Sequence, residues 1–211
     1  MNIKVCGITT LKQLQQLDGL EVDFAGLIFY KESPRYIGDK LDAASVKDSD
    51  FELRKVGVFV NPEMIEVLDA IDAYGLDVVQ LHGTETPEMC EDLATEVEVI
   101  KAFSITNETT NIEELIAPYD SVCDYYLFDS RSADSFGGTG QKFDWKIISE
   151  AKIEKPFFLS GGVGPDDAKL VKNFKHPDYY GADLNSQFEK EPGVKDMALV
   201  LKFMHALKKE Q

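Results

Sequence analysis

The chain has few cysteines, few basic residues and no long apolar run. Its 211 residues include three cysteines, an odd number without the paired spacing of metal ligands, which argues against a disulfide framework or a zinc ribbon and favours a reducing compartment, the cytoplasm. Nowhere do the roughly 18 apolar residues of a membrane helix follow one another. The N-terminus lacks a basic region followed by an apolar stretch, so we expect neither a membrane span nor a signal peptide.

Basic residues are scarce relative to acidic ones. Lys and Arg number 22 against 38 Asp and Glu, which gives a formal charge of −16. Such a surface repels nucleic acid unless a dense basic patch is present, and the sequence contains none. We therefore expect a small-molecule partner. An anionic ligand would be held by a few basic side chains, backbone N–H groups and helix N-termini.

Short β-branched and aromatic runs recur along the chain, and most are followed by apolar residues at helical spacing. The runs lie near residues 3–6, 24–29, 56–60, 77–81, 97–102, 124–128, 156–159 and 180–184. The helical stretches include residues 11–17, 62–74, 87–95, 145–152 and 165–174. Strands that alternate with helices imply parallel pairing. Eight such units predict an α/β fold, a single (β/α)₈ TIM barrel domain over residues 1–211, shorter than the usual roughly 250 residues.

The active site of such a barrel lies at the carboxyl ends of its strands. Cys6 ends the first run and Asp129 follows the sixth, so a thiol and a carboxyl group are expected at one mouth as an acid/base pair. Partial desolvation favours the protonated form of Asp129 and fits a general acid. Lys4 shares a strand face with Cys6 and is expected to favour a thiolate base. The alternatives are a buried apolar role for Cys6 and a turn-capping role for Asp129.

The loops after the last three strands are candidates for binding a phosphate. Their candidate residues are Gly138, Gly140, Gly161, Gly162, Asn185 and Ser186. Barrels of this type bind phosphate with the loops after strands seven and eight and the N-terminus of a short extra helix. Gly161 and Gly162 permit close backbone approach, whereas Gly138 and Gly140 lie in a loop that could fold over the substrate. Gly138-Thr139-Gly140 lacks the third glycine of a dinucleotide-binding fingerprint.

An ordered set of motifs spans nearly the whole chain. The motifs are Lys4-Val5-Cys6-Gly7-Ile8-Thr9, Ser33-Pro34-Arg35-Tyr36-Ile37, Val56-Gly57-Val58-Phe59, Val79-Gln80-Leu81-His82-Gly83, Gly137-Gly138-Thr139-Gly140 with Phe143-Asp144-Trp145, Ser160-Gly161-Gly162, and Pro192-Gly193-Val194-Lys195-Asp196. In this combination the chain resembles the phosphoribosylanthranilate isomerases. The resemblance implies a (β/α)₈ barrel of tryptophan biosynthesis that uses no cofactor. It also implies an Amadori rearrangement of N-(5-phosphoribosyl)anthranilate to 1-(2-carboxyphenylamino)-1-deoxyribulose 5-phosphate.

The implied reaction assigns a role to each candidate residue. An acid must protonate the furanose oxygen as the ring opens, and a base must remove the C2 proton, roles that fit Asp129 and Cys6. The resemblance gives Arg35 the anthranilate carboxylate, which a guanidinium matches bidentately; the alternative is a surface ion pair. His82 is expected to shape the mouth beside the substrate, or else to be a structural imidazole. Family members usually carry Ser-Ser-Gly where this chain reads Asn185-Ser186-Gln187, so we expect altered phosphate contacts rather than lost binding.

Two other functions are compatible with the same sequence. Another sugar-phosphate or aminosugar-phosphate isomerase would keep Cys6, Asp129 and the phosphate loops without needing Arg35 for an aromatic carboxylate. A catalytically silent barrel that binds a phosphorylated metabolite would need neither acid nor base. The sequence leaves the oligomeric state open between monomer and homodimer, and it leaves open a histidine-pathway aminosugar phosphate as an additional substrate.

Overall fold

Eight parallel strands form a closed barrel in the computed structural model, which describes residues 1–106, 108–130 and 145–208. The strands are β1 Asn2–Cys6, β2 Phe24–Ile28, β3 Arg54–Phe59, β4 Val78–Leu81, β5 Glu98–Ile105, β6 Tyr125–Ser130, β7 Phe157–Ser160 and β8 Tyr179–Leu184. Each strand pairs with the next along the chain, and β8 pairs with β1 to complete the ring. The predicted (β/α)₈ fold is confirmed, whereas the extent of a single domain over residues 1–211 stays a prediction.

Helices lie between the strands. They are α1 Leu11–Asp18, α2 Ala43–Lys47, α3 Met64–Tyr74, α4 Pro87–Leu93, α5 Ile112–Ile116, α6 Lys146–Glu150, α7 Ala168–Asn173 and α8 Met197–Lys208. After β8, a three-residue 3₁₀ turn at Ser186–Phe188 leads into the antiparallel strands β9 Glu189–Glu191 and β10 Val194–Lys195. In the part of the chain that the structure describes, no helix combines the length and apolar character needed to cross a membrane.

Helices α1, α2 and α4 each begin at a polar capping residue. Thr10, Asp42 and Thr86 each accept a hydrogen bond from a backbone N–H of the first helical turn. Such caps satisfy donors that a helix start otherwise leaves without a partner, and each contributes about 1 kcal/mol. Helices of five to eight residues are too short to be stable alone, so packing against the barrel stabilises the rest of each helix.

Two apolar layers arise from the alternation of side chains along each strand. One layer fills the barrel interior; its members include Phe24, Ile28, Val56, Val58, Val78, Ile100, Ala102, Leu127 and Phe158. The other layer lies between the barrel and its surrounding helices. Rings of Phe24, Tyr125, Phe158 and Tyr180 contact one another at the amino end of the interior. Aromatic side chains therefore fill the interior near that end, whereas Cys6 and Asp129 lie near the carboxyl ends of their strands.

The fifth strand is longer than predicted. The apolar run in the sequence predicts a strand that ends near residue 102, which would put Lys101 close to the mouth, whereas β5 continues to Ile105. Ala102 faces the barrel interior, so its neighbour Lys101 points outward. Its ammonium group donates to the Glu85 carboxylate at 2.7 Å and to the Gly83 carbonyl at 2.8 Å. Lys101 therefore holds the loop after β4 and lies outside the mouth.

Candidate active site

The two predicted acid/base residues face the interior of the barrel at its carboxyl end. Cys6 is the last residue of β1 and is 4% exposed, and Asp129, near the end of β6, is 3% exposed. A Cβ atom on Gly26 of the neighbouring strand would lie only 2.7 Å from the Cys6 sulfur. Glycine at that position therefore leaves the space that the inward-facing thiol occupies.

Two ammonium groups surround the Cys6 thiol. Lys4 has no exposed surface and donates to Asp183 at 2.9 Å, and its positive charge acts on the nearby Cys6 thiol. Burial raises the pKa of Cys6 above its ordinary value of 9.0, and the nearby Asp183 carboxylate adds to that rise. Lys4 and Lys195 lower the pKa of the thiol but do not offset its burial. In the free protein, the neutral thiol is thus the dominant form at neutral pH.

The titration of Cys6 follows from this environment. Because burial raises the pKa of Cys6 above 9.0, the thiolate should form only above pH 9. We expect the difference in absorbance at 240 nm between the protein and its Cys6→Ala variant to increase with a midpoint above that pH. A midpoint near neutral pH would contradict the balance between burial and the two lysines.

Arg35 passes close to Gly7, the residue after Cys6, and forms a bidentate ion pair. Its Nε and Nη2 atoms donate to the Glu189 carboxylate at 2.6–3.0 Å, and its side chain is 19% exposed. A Cβ atom on Gly7, which has φ +82°, would lie 2.7 Å from Arg35 Cδ. Glycine is therefore required where the guanidinium passes the strand end. Arg35 therefore does form an ion pair, as the alternative role predicted, but the pair is half-buried at the mouth and not on the open surface.

Lys195 completes a buried charge network at this mouth. Its ammonium group donates to Glu189 at 2.7 Å and to Asn185 Oδ1 at 2.8 Å, and its side chain has no exposed surface. Burial lowers the pKa of Lys195, while Arg35 and Lys195 together hold the pKa of Glu189 below its usual value despite burial. The two cations thus share one carboxylate, and the network retains an excess of positive charge near Cys6.

His82 lies beside Asp129. Its Nε2 atom is 3.3 Å from Asp129 Oδ2, and its side chain is 20% exposed. On the other side of the ring, His82 Nδ1 is 3.2 Å from Gln80 Nε2. The carboxyl group, the imidazole and the buried amide therefore form a continuous polar chain from the mouth toward the interior.

The loop after β7 contains two consecutive glycines with positive φ angles. Gly161 and Gly162 adopt φ +90° and +75°, a region that favours glycine. A Cβ atom on Gly162 would meet no atom of the described residues within 4 Å, so those residues leave the space beside this backbone open. Asn185 precedes the predicted short helix, which begins at Ser186 as a 3₁₀ turn. Gly138 and Gly140 lie outside the described residues.

Four polar residues of this site were not predicted from the sequence as functional residues. They are Gln80, Asp183, Glu189 and Lys195. Asp183 lies within the eighth predicted run and pairs in register with Lys4 of β1, so inward alternation on neighbouring strands could have identified that pair. Lys195 and Gln80 belong to motifs that carried the resemblance, yet a motif by itself does not say which side chains face the mouth.

A closed (β/α)₈ barrel with a buried thiol, a buried carboxyl group and a cationic network at its carboxyl end has the features of an acid/base enzyme that acts on an anionic substrate. Residues 3–206 match the family model for N-(5′-phosphoribosyl)anthranilate isomerase. A curated isomerase of that name from Parabacteroides distasonis is 39% identical over 209 residues, which cover 98% of this chain and 93% of the relative.

Solved structures agree with the sequence comparison. The phosphoribosyl anthranilate isomerase of Thermotoga maritima superposes with a TM-score of 0.83 and 30% identity, covering 99% of this chain and 98% of that one. An isomerase in complex with reduced 1-(o-carboxyphenylamino)-1-deoxyribulose 5-phosphate has a TM-score of 0.79 and 29% identity, with 99% and 98% coverage. The chain belongs to the N-(5′-phosphoribosyl)anthranilate isomerase family, and its function is that isomerisation in tryptophan biosynthesis.

Proposed function

We propose that Asp129 and Cys6 perform the Amadori rearrangement of N-(5-phosphoribosyl)anthranilate as general acid and general base. The observation that carries the proposal is the pair of buried, inward-facing groups at one mouth, each beside a nitrogen partner: Lys4 for the thiol and His82 for the carboxyl group. Asp129 donates its proton to the furanose ring oxygen as the C1–O bond breaks and the anilino nitrogen forms an iminium ion. The sugar is then an open chain with a free hydroxyl group at C4.

Cys6 acts in the second step. Its thiolate removes the C2 proton of the iminium ion, and the electron pair of the C–H bond forms an enolamine. Ketonisation of the enolamine then gives the 1-amino-1-deoxyribulose product, so the whole reaction is an isomerisation without net oxidation. Because the free thiol is mostly neutral, the positive charge of the iminium ion and the ammonium group of Lys4 favour proton loss when substrate is bound.

The anionic groups of the substrate bind on two sides of this pair. Arg35 binds the anthranilate carboxylate through guanidinium N–H groups that Glu189 leaves available, since only Nε and Nη2 donate to Glu189. Glu189 thus orients the guanidinium plane. The phosphate lies over Gly161 and Gly162, with Asn185 and Ser186 from the eighth loop, in the space that the described residues leave beside Gly162.

Arg35→Ala should raise KM by about tenfold to a hundredfold with a smaller loss of kcat, because a charge-assisted bidentate contact to the substrate is removed. Steady-state kinetics separate the two constants. Arg54→Ala is the matched control: Arg54 also pairs with a glutamate, Glu98 at 2.9 Å, but it belongs to the amino end of β3. If both variants raise KM equally, Arg35 has no specific role in carboxylate binding.

A fluorescence assay tests the reaction itself. The substrate is generated in place from anthranilate and phosphoribosyl pyrophosphate with the transferase that joins them, and the loss of its anthranilate emission is followed after this protein is added. We expect a decay whose rate is proportional to enzyme concentration. No decay from folded protein would refute the proposed activity.

We also propose that the protein works in the cytoplasm. The three cysteines are free thiols, and thiols persist in a reducing compartment. Cell fractionation with an antibody against the protein tests this proposal, and recovery in an oxidising compartment would contradict it.

A further inference from the structure

We propose that Gln80 is a positioning residue that holds one tautomer of His82 and thereby determines which oxygen of Asp129 carries the catalytic proton. Gln80 acts through His82 and does not itself contact a reacting atom. The inference deepens the proposed acid/base mechanism and rests on it for its kinetic consequence, whereas the tautomer of His82 can be measured without any substrate.

The three groups lie in sequence along one polar chain. Gln80 lies in β4 and is 1% exposed, and His82 directly follows that strand. Gln80 Nε2 is 3.2 Å from His82 Nδ1, and His82 Nε2 is 3.3 Å from Asp129 Oδ2. Each nitrogen of the ring therefore has one polar neighbour, and the orientation of the ring is fixed from both sides.

The chemistry of the amide determines the direction of these contacts. Gln80 Nε2 carries hydrogens and can only donate, so His82 Nδ1 must accept. A neutral imidazole with an unprotonated Nδ1 carries its hydrogen on Nε2, and this hydrogen points at Asp129. A hydrogen on Nδ1 would oppose the amide N–H group, so the contact favours the neutral tautomer that carries its hydrogen on Nε2.

This arrangement has a consequence for Asp129. Because Oδ2 accepts the hydrogen of His82, the proton that Asp129 delivers to the substrate is carried by Oδ1. The carboxylate left after delivery keeps a hydrogen bond from a neutral N–H group, which stabilises the developing anion. The amide of Gln80 thus sets the direction of the hydrogen bond between His82 and Asp129.

Packing alone gives little reason for a glutamine at this position. Among the residues that the structure describes, Gln80 Oε1 has no hydrogen-bond partner although it is buried, and an unsatisfied buried acceptor is destabilising. The neighbouring interior residues Val78 and Ile100 are apolar. An apolar side chain would fill the site without that cost, which favours a role for the amide in the polar chain.

Nuclear magnetic resonance of the ring nitrogens tests the inference on the full chain. The sequence contains three histidines, His82, His176 and His205, so a His82→Asn variant assigns the relevant signals by difference. In ¹⁵N-labelled protein at neutral pH, we expect an unprotonated Nδ1 and a protonated Nε2 for His82. Gln80→Glu should reverse the pattern, because a carboxylate accepts a hydrogen from Nδ1, and Gln80→Leu should give a mixture of tautomers.

Either of two results would overturn the inference. One is a His82 ring in the unsubstituted protein that is neutral with its hydrogen on Nδ1, or that is an imidazolium. The other is the same His82 tautomer in the unsubstituted protein, in Gln80→Glu and in Gln80→Leu. The first measurement needs no substitution of Gln80 and therefore remains decisive if a Gln80 variant does not fold. In the kinetic arm, Gln80→Glu should lower kcat by about tenfold or more and change KM by less than about twofold. If the tautomers respond as expected but the unsubstituted protein has no activity, the proposed reaction fails and the positioning of His82 stands.

Discussion

Cys6→Ala should lower kcat by about 10²–10⁴-fold with little change in KM, because it removes the group that takes the C2 proton and leaves substrate binding intact. Alanine is smaller and apolar, Cys6 belongs to the apolar layer inside the barrel, and Lys4 keeps its ion pair with Asp183, so the fold should survive. The fluorescence assay gives the rate, and thermal unfolding checks the fold.

Cys123→Ala is the matched control for the loss of a thiol. Cys123 is also buried, but it packs in the layer between barrel and helices. Its replacement should leave kcat within about twofold of the unsubstituted value, since it does not face the mouth. Near-native activity of Cys6→Ala would remove the proposed base. Equal losses in the two variants would point to a general effect of cavities on the fold.

Asp129→Asn should also lower kcat by about 10²–10⁴-fold, because an amide cannot donate a proton to the ring oxygen. The substitution preserves the size of the side chain, and its carbonyl oxygen can still accept the hydrogen bond from His82. We therefore expect a folded protein that still binds the reduced product analogue with an affinity close to normal. Calorimetric titration measures this affinity separately from turnover.

A second aspartate provides the control for charge removal. Asp120 accepts a hydrogen bond from the Tyr126 hydroxyl at 2.6 Å, in the loop before β6. Asp120→Asn should leave kcat nearly unchanged. If Asp129→Asn retained most of the activity, another group would have to supply the proton. If it lost affinity for the analogue in the same proportion as activity, Asp129 would be a binding residue and not an acid.

The order of strands and the place of the mouth were predictable because both follow from local patterns. Apolar runs separated by helical spacing identify the barrel, and its geometry directs attention to strand ends such as Cys6 and Asp129. The helical stretches named from the sequence do not include α2 and α5, although α6, also five residues long, falls within the predicted residues 145–152. The extension of β5 to Ile105 was missed because its pairing with β6 is a contact between distant segments.

The charge network at the mouth was not predictable for a different reason. Arg35 and Glu189 are 154 residues apart in sequence, and Lys4 and Asp183 are 179 apart. With 38 acidic residues in the chain, no spacing rule selects the partner of a given cation. The resemblance indicated a role for Arg35 but not that Glu189 holds it. Only the closed barrel brings these pairs together.

Strands β1 and β8 pair with each other although they are the first and last strands of the barrel along the chain. This pairing has a consequence for protein synthesis. Asn2 to Val5 pair with Gly181 to Leu184, so the ribosome produces the first strand long before its second neighbour exists. The groups that surround Cys6 from the end of the sequence, Asp183 and Lys195, emerge last. A nascent chain therefore carries Cys6 as an ordinary thiol, and the catalytic environment forms only when the final strand closes the ring.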